Sequence, residues 1–167
     1  MNTLAIDGST KATGIAVFEN KELKYYTCIY EKGNDTIGRI LRMANAIKTV
    51  CGTYEIHQIV MEDVIPEDVK HNDNVYTALK YLQAAVVFVV YGLNIPIEFK
   101  TASWWRSRCG IRTGPGIKRD KLKEQSIEFV KIKYNKEVTD DIADAVCLGC
   151  AYLGIGSKTE LQPFNWE

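Results

Sequence analysis

The sequence predicts an α/β protein. Its centre is a five-stranded mixed sheet, a three-strand meander plus parallel strands, flanked by helices. Three observations predict this. Apolar runs at 3–8, 13–19 and 23–30 follow one another so closely that only short turns can join them, so they pair antiparallel. Two later runs, at 56–62 and 95–99, are separated from the meander and from each other by segments with helical periodicity. A meander followed by alternating helix and strand makes a mixed sheet with helices on its faces. With 167 residues, 46% of them apolar, the chain is long enough for one sizeable core.

The first strand, 3–8, ends Leu4-Ala5-Ile6-Asp7, and Gly8, Ser9 and Thr10 turn the chain into the second. Residues 19–22 turn it again. The third strand, 23–30, alternates apolar and polar residues. Gly33-Asn34-Asp35 breaks the chain and supplies an N-cap. Ile37, Ile40, Leu41, Ala44, Ile47 and Cys51 then recur at helical spacing, predicting a helix over 36–51. The strand at 56–62 is apolar and again ends in acid, Glu62-Asp63. Residues 64–74 form a polar loop with one proline, long for a compact domain. The second helix, 75–91, is apolar on every face in its C-terminal half, so it is expected to be covered on both sides, by the core or by a partner subunit. A short helix over 101–107, a glycine loop over 110–116, a helix over 118–133 and a last helix over 142–153 complete the order. The domain is expected to span 1–156, with a loosely held tail over 157–167.

The net charge is zero, so nothing global points to a nucleic acid. Five cysteines at irregular spacing and the lack of a signal peptide suggest a reducing, cytoplasmic location. Cys147 and Cys150 lie in an apolar stretch, where cysteine acts as a small core residue. His57 and His71 are too far apart in sequence for a histidine zinc site. The most apolar stretch, 84–91, is too short to span a bilayer, so no membrane partner is expected.

The chemistry is carried by carboxylates. Asp7 and Glu62 each close an apolar strand, where an unanswered carboxylate is costly. A simpler role for Asp7 is to cap its own turn. Asp141 and Asp144, three residues apart, share one face of the last helix. Asp140 or Asp141 alone suits a helix N-terminus. Acids from three segments, without nearby histidine, suit hard cations such as Mg2+ or Mn2+.

These residues resemble a known family. Ala5-Ile6-Asp7-Gly8-Ser9 with Thr13-Gly14, then Val60-Met61-Glu62-Asp63-Val64, then Asp141-Ile142-Ala143-Asp144-Ala145 are similar in order and spacing to RuvC-type Holliday junction resolvases of the ribonuclease H-like superfamily. The resemblance implies a ribonuclease H-like fold and a homodimer that cuts four-way DNA junctions by hydrolysis. It makes Asp7, Glu62, Asp141 and Asp144 the catalytic metal ligands, holding Mg2+ or Mn2+, with two ions per site roughly 3.5–4 Å apart. It also suggests a phage or mobile-element member. The family's usual basic charge is not matched here.

The basic charge is local instead. Residues 100–123 hold eight lysines and arginines against one acid, Asp120. Arg106, Arg108, Arg112, Lys118, Arg119 and Lys121 are the expected DNA contacts, around a glycine loop that lets a backbone come close. Lys118 or Lys121 is the expected helper at the site. Of the adjacent Trp104 and Trp105, at least one is expected in the core. Other functions remain open at this level. They are a relaxed nuclease for branched DNA or RNA–DNA hybrids and a non-catalytic junction-binding protein. A sugar-kinase reading of Asp7–Gly14 needs a second domain, for which the chain is too short.

Overall fold

We describe the protein from a computed structural model. It describes residues 1–69 and 72–156; the expected tail over 157–167 and His71 lie outside the described residues. Five strands form one sheet in the order β3-β2-β1-β4-β5. They are β1 (Asn2–Asp7), β2 (Ala12–Glu19), β3 (Glu22–Tyr30), β4 (Gln58–Asp63) and β5 (Ile97–Thr101). The first three make the predicted antiparallel meander, and β4 and β5 add in parallel on the other side of β1. β5 begins two residues later than the apolar pattern suggests. Pro96 precedes it and serves only as an acceptor, for the Ile59 amide.

The five helices are α1 (Thr36–Thr53), α2 (Asp73–Tyr91), α3 (Ala102–Arg108), α4 (Arg119–Tyr134) and α5 (Asp140–Tyr152). The loop between β4 and α2 contains a 3₁₀ turn at Pro66–Val69. Asn72 starts α2 by accepting a hydrogen bond from the Val75 amide at 3.2 Å.

Strand alternation sorts the core into two layers. Leu4, Ile6, Ile15, Val17, Ile59 and Met61 face α1 and α2. Ala5, Ala16, Phe18 and Val60 face α3, α4 and α5. Small residues dominate the second list because α5 lies close against the sheet. A β-carbon added at Gly149 would meet the Phe18 ring at 2.2 Å, and one at Gly14 would meet the Asp141 carbonyl oxygen at 1.9 Å. Cys147 and Cys150 are buried in this layer as free thiols. Trp105 is wholly buried there, whereas its neighbour Trp104 is half-buried.

Arg39 fastens the loops beside the first turn. It is buried and donates to the Thr10 carbonyl, the Gly33 carbonyl and the Thr36 hydroxyl. This spreads a guanidinium fork over three acceptors and ties the β1–β2 turn to the start of α1.

The structure corrects one expectation. Within the chain, α2 is covered on one side only. Leu82, Val86 and Val90 pack inward, but Phe88 and Tyr91 are each 81% exposed. The helix is in an outer layer, where the sheet and α1 reach a single face. No helix among the described residues is long and apolar enough to cross a membrane.

Candidate active site

The β1–β2 turn is held without Asp7. The Ser9 amide donates to the Thr13 hydroxyl at 3.1 Å, and that hydroxyl donates to the Ser9 carbonyl at 2.6 Å. Asp7 is thus not needed as the cap of its own turn. Alternation after Ala5 sends its side chain to the α5 face. There, burial raises its carboxyl pKa well above the usual range, and Glu62, Asp144 and Asp141 push it the same way. Arg106 pulls it down. The four predicted acids therefore converge, from β1, β4 and α5.

Glu62 and Asp63 part at the end of β4. Glu62 follows Val60 onto the α5 face, where the Trp105 indole N–H donates to Glu62 Oε2 at 2.6 Å. Asp63 turns to the opposite face and pairs with Lys80 of α2 at 2.7 Å. Gln83 braces the strand end by donating to the Glu62 carbonyl at 2.9 Å. Parallel pairing sets Lys100 of β5 opposite Glu62, and Lys100 pairs with Glu98 at 2.8 Å.

On α5 the acids divide. Asp140 is ion-paired with Lys123, which holds its carboxyl pKa below the usual range. Asp141 and Asp144 are both pushed up, chiefly by burial, with Asp140 adding to each. Lys123 and Arg119 oppose the shift at Asp141. The Ser126 hydroxyl and Arg106 oppose it at Asp144. The Cys28 thiol lies 4.0 Å from Asp141 Oδ2.

Hence the cations facing the acids are Arg106, Arg119 and Lys123. Of the two lysines expected to help, Lys121 is paired with Glu124 at 2.7 Å, and Lys118 is the N-cap residue of α4. Arg108 stacks on Trp104 at 3.9 Å from the ring centre, and Lys100 lies 5.2 Å from the same ring. The Arg112 backbone is clamped at both its amide and its carbonyl by Gln125. Sequence reasoning missed Trp105 and Ser126 as partners of the acids. A tryptophan beside a basic residue in a short helix was the only available signal for the first.

Among the described residues, no three His, Cys, Asp or Glu side chains are gathered closely enough to hold one metal ion. The donor set nevertheless fits a hard cation: four carboxylates, three of them with raised affinity for a positive charge, here a proton.

Comparison with known proteins places the chain. Residues 1–153 match the DUF3882 family, described as "Lactococcus phage M3 protein". No curated protein matches it. Among solved structures it is similar to Thermus thermophilus RuvC in complex with a Holliday junction substrate. That match has a TM-score of 0.71 at 10% identity and covers 92% of this chain and 93% of that one. The fowlpox virus resolvase, in complex with Holliday junction DNA, matches with a TM-score of 0.57 at 15% identity, over 97% and 100% of the two chains. The yeast mitochondrial Holliday junction resolvase Ydc2 matches with a TM-score of 0.57 at 13% identity, over 92% and 78%. The chain is therefore a member of the Lactococcus phage M3 protein family, built on the ribonuclease H-like fold that these resolvases share.

Proposed function

We propose that the protein is a metal-dependent endonuclease that cuts four-way DNA junctions by phosphodiester hydrolysis. The observation that carries this is the meeting of Asp7, Glu62, Asp141 and Asp144 beside Arg106. The fold shared with resolvases bound to junction DNA supports the choice of substrate. Asp7, Glu62, Asp141 and Asp144 hold Mg2+ or Mn2+, two ions per site. Such ions, when bound, supply a more acidic water and a counter-charge for the phosphate.

The chain's own groups do the rest. Trp105 fixes Glu62 from one side, leaving its orientation set before substrate arrives. Arg106 is the cation closest in effect to the two most buried acids, Asp7 and Asp144. A guanidinium there offsets negative charge as it grows on the phosphate. Water attacks phosphorus and the bond to the 3′ oxygen breaks, giving a 5′-phosphate and a 3′-hydroxyl. Arg108, Arg112, Lys118, Arg119 and Lys121 contact the DNA backbone. Two copies pair through the exposed Phe88–Tyr91 face of α2, and a two-fold dimer presents two sites to the two equivalent strands.

The test is nicking of a synthetic four-way junction with Mg2+ or Mn2+, against linear duplex and RNA–DNA hybrid, repeated with Asp7→Asn. Paired symmetrical cuts on the junction, absent in Asp7→Asn, are the expected result. Equal cutting of several branched shapes means a relaxed nuclease. Tight binding without cutting in either metal refutes the catalytic reading.

A further inference from the structure

A cavity of about 240 Å³ lies on the far side of Arg106 from the carboxylates. Its walls include Ile65 from the loop after β4, Ser103 and Arg106 from α3, Thr113 and Ile117 from the glycine loop, and Leu122 from α4. We infer that it is a base subsite, which receives one nucleobase next to the scissile phosphate and discriminates against adenine. This rests on the nuclease reading above and adds a preference for the base at the cut.

Three features select a base. First, Arg106 Nε–H is buried and has no acceptor. A buried donor is costly until something answers it, so the occupant must bring an acceptor. Second, Ile65, Ile117 and Leu122 give the cavity apolar walls. Apolar walls suit the faces of a flat ring and penalise a fully charged phosphate. Third, the volume is below the roughly 300–1,000 Å³ of sites that enclose drug-sized molecules, so it admits one base and not a base pair. Guanine, cytosine and thymine each carry a ring carbonyl oxygen to meet the Arg106 donor, and adenine carries none.

The position fits the reaction. Arg106 lines the cavity and also acts on Asp7 and Asp144. A phosphate at the carboxylates and a base in the cavity are then the neighbouring parts of one strand, on two sides of one guanidinium. The base must leave its stack to enter. A crossover point makes that cheaper than intact duplex does.

The experiment uses the full chain and a four-way junction carrying pyrrolo-cytosine, which keeps the carbonyl, at successive positions around the crossover. Binding is followed in Ca2+. One position should brighten as its base unstacks. Leu122→Trp, which fills the cavity, should abolish that signal while junction affinity stays within about threefold. Ile117→Trp repeats the test if the first variant folds poorly. Adenine at the responding position should slow nicking by the unaltered protein about tenfold, the scale of one charge-assisted hydrogen bond. No brightening at any position, brightening that survives both filled variants, or equal nicking with all four bases overturns the inference. Brightening that obeys the variants without any nicking upholds the subsite and refutes the nuclease reading instead.

Discussion

Gly14→Ala separates the seating of α5 from every other feature of the site. The new β-carbon would lie 1.9 Å from the Asp141 carbonyl oxygen and 2.4 Å from its carbon. Real contacts of that kind start near 3.0 Å, so the first turn of α5 or the middle of β2 must give by about 1 Å. Both neighbours are backbone in regular structure, so neither can swing aside as a side chain would. Overpacking of this kind costs about 1–3 kcal/mol, and the rigid contact argues for the upper part of that range. The same displacement carries Asp141 and Asp144 away from Asp7. A misplacement of about 1 Å in a catalytic group lowers rates by roughly 100-fold. Urea unfolding followed by tryptophan fluorescence measures the first effect, and junction nicking the second. Gly52→Ala is the control: it sits near the end of α1, where an added β-carbon meets nothing within 4 Å, and it should be neutral or slightly stabilising. If Gly14→Ala matches wild type in both assays, close approach of α5 is not what positions its acids.

Other perturbations test the neighbouring contacts. Trp105→Phe keeps an aromatic ring in the core but removes the donor to Glu62, and a hydrogen bond to a charged group is worth about 1.5–3 kcal/mol; nicking should fall about tenfold or more, and an unchanged rate would show that Glu62 needs no brace. Asp7→Asn should stabilise the protein at neutral pH when no divalent metal is present. The folded state binds the Asp7 proton more tightly than the unfolded chain, whose ordinary value is 3.8. Its contribution to stability is therefore present below that value and is lost as pH rises through the raised one. Melting curves from about pH 4 to pH 8 should show wild type losing ground to Asp7→Asn, and added Mg2+ should restore wild type alone; a variant less stable than wild type at pH 8 contradicts this. Phe88→Glu should shift sedimentation from dimer to monomer with little loss of stability, because the side chain is 81% exposed within one chain; an unchanged dimer places the interface elsewhere.

Much of the fold was legible because periodicity is a local signal. The meander, the two parallel strands and all five helices followed from spacing, with ends displaced by two or three residues at most. Pro96 displaced β5, since a strand cannot begin on a residue without an amide donor. The four acids were legible as strand ends and a helix face. Their cation partners were not. Lys118 and Lys121 looked nearest along the chain, yet the groups acting on the acids are Arg106, Arg119 and Lys123. Which side of α4 meets α5 is decided by packing, and charge counts carry no information on it. The exposure of α2 was hidden for a similar reason: an apolar face reads the same whether a sheet or a second molecule covers it.

The short helix α3 joins packing to chemistry. Seven residues are too few to hold a helix in water, so its orientation depends on what it buries. It buries Trp105, the largest wholly buried side chain in the described residues. Consecutive helical residues point about 100° apart. Once Trp105 is driven inward against Glu62, Arg106 is turned toward Asp7 and Asp144 with no further freedom to spend. Adjacent positions in the sequence thus address acids from β4, β1 and α5 at once. A lysine on the glycine loop would bring equal charge without that fixed direction. This explains why the basic run from 100 to 123 does not act as one surface. Lys123 is paired with Asp140, Lys121 with Glu124 and Lys100 with Glu98, and Arg108 lies on Trp104. The charge that matters at the carboxylates is set by the geometry of one turn of helix, and a neutral chain can provide it as well as a basic one.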